Sequence, residues 1–375
     1  MVDTIKLTLS SSMFWLTDLS LFQRERQNAS RGYFTLVQNP TKSELKDGIY
    51  KPRLTLTKRF NITGRSESTL SIEFSAPKLL YGNNFDELTE DNFEKVVLAL
   101  QGRLKEMGVK VFYEILINAP VSTIHYSKNI PLTDGITPHY LISKIKEAYV
   151  TRSLDINQTD YRNDGYSYKI HANSYEIAFY DKIKDLQAAG ISEKRAIEQD
   201  NATQLHLFDQ KRYTIPEVLR MEVRLNNRQK MKQLFGIISL SPRLTFKELF
   251  NKDISQKVLL YYLDTIEAGI PKILDYKHKT TPQLLSDLIV SNPKMGMLKA
   301  LQTVGLMEAT KTYTLRELKE LFGKSRDRSW QRLMTETNNI HLPTTKSPFV
   351  LVRHYLDTFE QMKLTNYKSP YYFPN

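Results

Sequence analysis

Residues 69–77, TLSIEFSAP, put Leu70, Ile72 and Phe74 on one side of an extended chain and Ser71, Glu73 and Ser75 on the other. A strand with that alternation belongs in a sheet that has one packed face and one polar face. The preceding segment PRLTLTKRF (52–60) is strand-like too, and NITGRSES between them carries the Asn, Gly and Ser of a tight connection, so a hairpin is expected. Asp91 and Glu94 have the spacing of a capping box. Phe93, Val96, Val97, Leu100, Leu104 and Met107 then form one apolar stripe at helical spacing, with Gly108 to close it. Strands are expected at 109–119 and 121–130, a helix at 139–154, a strand pair turning near Asn173, a helix over 181–199 and a basic strand at 218–226. From about Leu244 the patterns are helical. The expectation is an α+β fold: a mixed or antiparallel sheet with flanking helices over 1–240, then a mainly helical region over 241–375.

The chain has no cysteine, which excludes disulfides, thiolate zinc sites and a cysteine nucleophile. It shows no signal peptide and no apolar run long enough to span a bilayer, so no membrane partner and a cytoplasmic location are expected. A formal charge of +12 favours a polyanionic partner. The excess is concentrated: 211–232 carries seven basic and two acidic residues, and 311–332 seven and three. In the second segment a helix, a Gly-containing turn and a basic helix bearing Arg326, Arg328, Trp330 and Arg332 have the order of a helix-turn-helix.

The stretch GYSYKIHANSYEIAFYDKIKDL (165–186) sets Tyr166, Tyr168, Tyr175 and Tyr180 beside His171, Asp181, Lys182 and Lys184. Core packing would explain the phenols, and so would a tyrosine that attacks a phosphate. The second chemistry needs a phenol, a divalent cation and a group that assists proton removal. Glu73, Glu114, His125, His171, Glu176 and Glu222 all lie in strand-like segments, where they could gather on one face around a hard cation. No two histidines stand two apart with a hydrophobic residue between them, so any metal site is carboxylate-rich.

Four segments, TLSIEFSAPKLLYGNNFDEL, VSTIHYSKNI, SYEIAFYDKIKDL and LRMEVRLNNRQKMKQLFGI, resemble in order and spacing the rolling-circle replication initiators similar to the filamentous-phage gene II protein. The resemblance covers roughly residues 1–240. It implies a sheet related to that of nicking endonucleases, and a metal-dependent enzyme that nicks one strand at a replication origin, becomes joined to the 5′ phosphate through tyrosine, and later rejoins the ends. By the resemblance Tyr180 is the first-choice nucleophile and Tyr168 the second. Lys182 is the ammonium that lowers the phenol's pKa, and His171 is either an auxiliary base or a satisfied strand histidine. The ligands for Mg²⁺ or Mn²⁺ are Glu73, His125 and Glu222. Thr123-Ile124-His125 departs from the family, which has an acidic residue at the position of His125. Arg220, Arg224, Arg228 and Lys230 become phosphate contacts, with Arg326, Arg328 and Arg332 as further DNA contacts. Single- and double-stranded origin DNA, a host helicase and a host polymerase are the implied partners. The rival readings are a DNA-binding regulator that does not cut and a metal nuclease with no covalent intermediate. A tyrosine recombinase is disfavoured, because Arg353, His354 and Tyr355 are adjacent and cannot surround one phosphate.

Overall fold

The computed structural model describes the chain except for residues 29–32, 42–43, 45–48, 61–65, 133–135, 151–153, 155, 163, 186–216, 271–275, 277–279, 324–326, 343–348 and 364–375. The strands, in chain order, are β1 (Val2–Ser10), β2 (Trp15–Leu16), β3 (Gln23–Asn28), β4 (Tyr33–Gln38), β5 (Arg53–Phe60), β6 (Ser66–Ser75), β7 (Val109–Lys110), β8 (Val121–Pro131), β9 (Gln158–Arg162), β10 (Ser167–His171), β11 (Tyr175–Asp181) and β12 (Val218–Leu225). Ten of them form one antiparallel sheet in the order β3-β4-β5-β6-β1-β8-β12-β11-β10-β9, and β2 pairs with β7 apart from it. The expected α+β class is therefore what the chain adopts. The hairpin of β5 and β6 and the β10–β11 pair, which turns at Ala172–Ser174, lie where the sequence puts them.

The pleat divides the sheet into two faces. Ile5, Leu7, Leu70, Ile72, Phe74, Ile124, Met221, Val223, Ile177 and Phe179 are buried on one of them. This face packs on the helices Phe93–Glu106, Pro138–Lys146, Arg228–Ile237, Lys252–Ala268 and Val350–Thr358, all of which share its core. The Tyr175 and Tyr262 rings meet at 5.4 Å across that contact, and the Tyr126 hydroxyl donates to the Leu249 carbonyl at 3.1 Å. Each fully buried Leu, Ile or Phe side chain there contributes about 1.5–3 kcal/mol. The other face carries Lys6, Glu73, His125, Glu176, Tyr180, Glu222 and Arg224, which are opposite or diagonal to one another in the strand register.

Three sequence expectations change. Residues 109–119 are not one strand: after the short β7 the chain forms a helix at Tyr113–Ile117. Its β-branched and aromatic content is strand-like, but Val109, Val111, Leu116 and Ala119 are the buried positions, and beyond Val111 that spacing is not period two. The helix expected at 139–154 ends at Lys146. Of the helix expected over 181–199, Asp181 closes β11, residues 182–185 are helical, and 186–199 lie outside the described residues. The division of the helical region also moves. Helices Lys252–Ala268 and Val350–Thr358 belong to the sheet's core, while Thr281–Ser291, Met297–Ala309, Leu315–Phe322 and Asp327–Asn338 surround a core of their own that includes Leu284, Val304, Leu318 and Trp330.

Candidate metal and tyrosine site

The site lies on the polar face, where β1, β8, β12 and β11 are neighbours. Along β12, alternation directs Arg220, Glu222 and Arg224 to this face, opposite Tyr180, Ala178 and Glu176 of β11 and Asn129, Ser127 and His125 of β8. The β1–β8 register slips by one residue between Val2 and Ile5, so that Asp3 and Thr4 together oppose His125. Such a bulge re-aims a side chain. Ile5 and Leu7 stay in the core while Asp3 comes to the polar side, against Arg220.

Ligand atoms of Asp3, His125 and Glu222 lie within 4.8 Å of one another, and the three residues can hold a metal ion. The Asp3 Oδ1 is buried with no well-aligned hydrogen bond, although the Arg220 Nη2 is 3.0 Å away. An acceptor left in that state, beside a second carboxylate and an imidazole, is the donor set that a hard or borderline divalent cation takes.

Glu222 is the hub. Its Oε1 faces the His125 Nδ1 at 3.3 Å and accepts from the Arg224 Nε at 2.9 Å. Its Oε2 accepts from the Tyr180 hydroxyl at 3.0 Å, with the Arg220 Nε at 4.0 Å. Burial pushes the Glu222 carboxyl up, but Arg224, His125 and Arg220 outweigh it and hold it well below the usual carboxylate range. Burial, and then the Glu222 charge, raise the Tyr180 phenol well above its ordinary value.

Lys182, two residues beyond Tyr180, is fully buried and donates to the Asn84 Oδ1 at 2.7 Å. Burial first, and the Arg220 charge second, lower its amine to about 7. The expected role for Lys182 is therefore corrected: near neutral pH it is only partly charged, and the phenol beside it is raised rather than lowered. Asn84 comes from the loop that follows Gly82, whose φ of 73° ends the helix Ala76–Tyr81 in a left-handed turn that glycine adopts without strain.

Arg220 is also corrected. It is 2 % exposed and its guanidinium is taken up by the Asn84 carbonyl, Asn129 Oδ1, Ser127 Oγ and Asp3, so it sets the floor of the site and does not reach a phosphate. Arg224 is partly exposed and bridges Glu222 and Glu176. Glu73 stands on the polar face but pairs with Lys6 at 3.5 Å, and β1 lies between its strand and β8. Asp3 takes the place that sequence reasoning gave to Glu73. Tyr168 opposes Phe179, is 6 % exposed and lies on the apolar face, away from the trio. His171 is on the polar face between Asp160 at 3.2 Å and Glu176 at 2.9 Å. It opposes Glu176, four residues from Tyr180 along β11, or roughly 13 Å at the rise of a strand. It is thus no base for that phenol.

The remaining DNA-contact candidates are scattered. Arg228 is exposed at the start of helix Arg228–Ile237, and the Lys230 ammonium covers the Tyr175 ring at 4.4 Å, on the packed side of the sheet. Arg328 and Arg332 are exposed on helix Asp327–Asn338, where Arg332 pairs with Glu336 at 3.8 Å. Arg326 lies outside the described residues. Sequence reasoning missed Asp3, Asn84, Ser127 and Asn129. Asp3 had a faint signal, one acidic residue just before the alternating run TIKLTL.

Among the described residues no helix is long and apolar enough to cross a membrane. Compared with protein-family models, with curated proteins and with solved structures, the chain matches none.

Proposed function

We propose that this chain is a divalent-cation-dependent DNA strand transferase that initiates rolling-circle replication, cutting one strand at an origin through Tyr180. One observation carries the reading: the Tyr180 hydroxyl donates to the same Glu222 carboxylate that faces His125 and lies beside Asp3. A phenol, a base and a cation-binding trio thus stand on one polar sheet face. The net charge of +12 and the resemblance of the four ordered segments support DNA as the substrate.

Asp3, His125 and Glu222 would hold Mg²⁺ or Mn²⁺, which supplies charge neutralisation on the phosphoryl oxygens when bound. The chain's own residues do the rest. Glu222 Oε2 takes the phenolic proton as the Tyr180 oxygen bonds to phosphorus. The bond from phosphorus to the 3′ oxygen breaks, that oxygen takes a proton from solvent and leaves as a 3′ hydroxyl, and Glu222 returns its proton to solvent. The 5′ phosphate remains on Tyr180, so the phosphodiester is kept for rejoining. Arg220 fixes Asp3, and Asn84 fixes both Arg220 and Lys182.

The raised phenol favours a second reading, a hydrolytic nuclease in which Tyr180 only orients Glu222. One experiment separates the two. The protein is incubated with Mn²⁺ and 3′-end-labelled single-stranded DNA from the replicon that encodes it, and then run on a denaturing gel. A labelled protein band that maps to Tyr180 is expected. Cleavage without such a band would establish the hydrolytic reading, and binding without cleavage would leave a regulator.

A further inference from the structure

Two guanidiniums face the carboxylates of the trio, and they are held in different ways. Arg220 is enclosed by four oxygen partners and has no room to move. Among the described residues Arg224 has two partners. Its Nε donates to Glu222 Oε1 at 2.9 Å and its Nη1 meets Glu176 Oε1 at 2.8 Å, and 27 % of its side chain remains exposed on the open face. The oxygen that Arg224 occupies is also the one that faces the His125 Nδ1 at 3.3 Å, so a cation shared between Glu222 and that imidazole would draw on it. A divalent cation and Arg224 compete for that oxygen, because their like charges repel at such close range.

We infer that Arg224 is an exchangeable latch: it fills the Glu222 carboxylate before a divalent cation is taken up, is then released to Glu176, and presents its free N–H groups to a phosphate oxygen of the DNA. This rests on the reading of Asp3, His125 and Glu222 as a cation site. Glu176 is built for the exchange. Its Oε1 already holds one arm of Arg224, with Lys169 3.5 Å from the same oxygen, and His171 steadies its Oε2 at 2.9 Å. A released guanidinium on an open polar surface suits phosphate, whose oxygens match its fork. Cation and DNA would then favour each other's binding through one side chain, with Arg224 as a positioning residue.

The test is calorimetric titration of Mn²⁺ into the full chain, with E222Q as the control for the site itself. The latch predicts that R224Q binds Mn²⁺ about tenfold more tightly than the parent, since a competitor has been removed. It predicts the opposite for E176Q: binding several-fold weaker, because Arg224 then has nowhere to go but Glu222. General damage to the site would not move the two variants in opposite directions. A short single-stranded oligonucleotide should bind the parent more tightly when Mn²⁺ is present, and R224Q should lose that gain. If the parent and R224Q bind Mn²⁺ equally, while E222Q does not bind it, the latch is overturned and the cation site stands. If neither the parent nor R224Q binds, both fall. Should R224Q fail to fold, unchanged Mn²⁺ binding by E176Q overturns the latch on its own.

Discussion

The two faces of the sheet use the same strands to opposite ends. On the packed face, Tyr168, Ile170, Ile177, Phe179, Met221 and Val223 exclude water and carry no charge. On the other, a chain of contacts runs from Asp160 through His171, Glu176 and Arg224 to Glu222, where it meets Tyr180, His125 and, by way of Arg220, Asp3. Tyr168 and Tyr180 illustrate the difference: on neighbouring strands, with the same side chain, one is core and the other is poised beside a carboxylate. In a sheet, residue type sets what a group can do, but pairing register decides whether it has the chance.

The strongest way to break this contrast is to exchange the two phenols' roles. Tyr180→Phe should reduce strand cutting by about a thousandfold or more and abolish the covalent adduct while leaving DNA binding intact. Tyr168→Phe should cut at a rate close to the parent's, and an adduct that survives in Tyr180→Phe but not in Tyr168→Phe would invert the assignment. On the packed face, Phe179→Ala should cost about 3–5 kcal/mol in denaturant unfolding. A loss below 1 kcal/mol would mean that the face is not the principal core. Third, Asp3→Asn should weaken Mn²⁺ binding about ten- to a hundredfold, and Glu73→Gln should leave it within a factor of two. The smallest effect concerns Lys182. Its amine titrates near 7 when folded and near 10.5 when exposed, so between those values the unfolded chain binds the extra proton and stability rises with pH. Below pH 7 both states are protonated and the slope vanishes. Lys182→Met should flatten the rise between pH 7 and pH 10, and a parallel profile in parent and variant would place the amine in water.

The alternation in TLSIEFSAP and VLRMEVRLN made two-faced strands legible, and with them the polar-face placement of Glu73 and Glu222. Lateral order was not legible. Nothing in the residues around Glu73 says that β1 lies between β6 and β8, because strand order is fixed by long-range pairing and not by local pattern. Asp3 was hidden for a related reason, since its orientation depends on a bulge that exists only against β8. Arg220 and Arg224 look alike in an R-x-E-x-R strand, yet one is sealed under a loop that begins more than a hundred residues earlier. The helical segments were legible by period, but the sequence did not show that Lys252–Ala268 packs under the sheet while Thr281–Ser291 does not.

Asp3, His125 and Glu222 lie on three successive strands of the sheet, yet they come from the beginning, the first third and the second half of the chain. No nascent segment and no proteolytic fragment ending before Glu222 contains all three. The three side chains come together only when β1, β8 and β12 are paired, so topology assembles the site by long-range pairing rather than by any local element. The same arrangement makes the site a sensitive gauge of correct folding, since a one-residue slip of β1 would dismantle it while leaving most of the secondary structure in place.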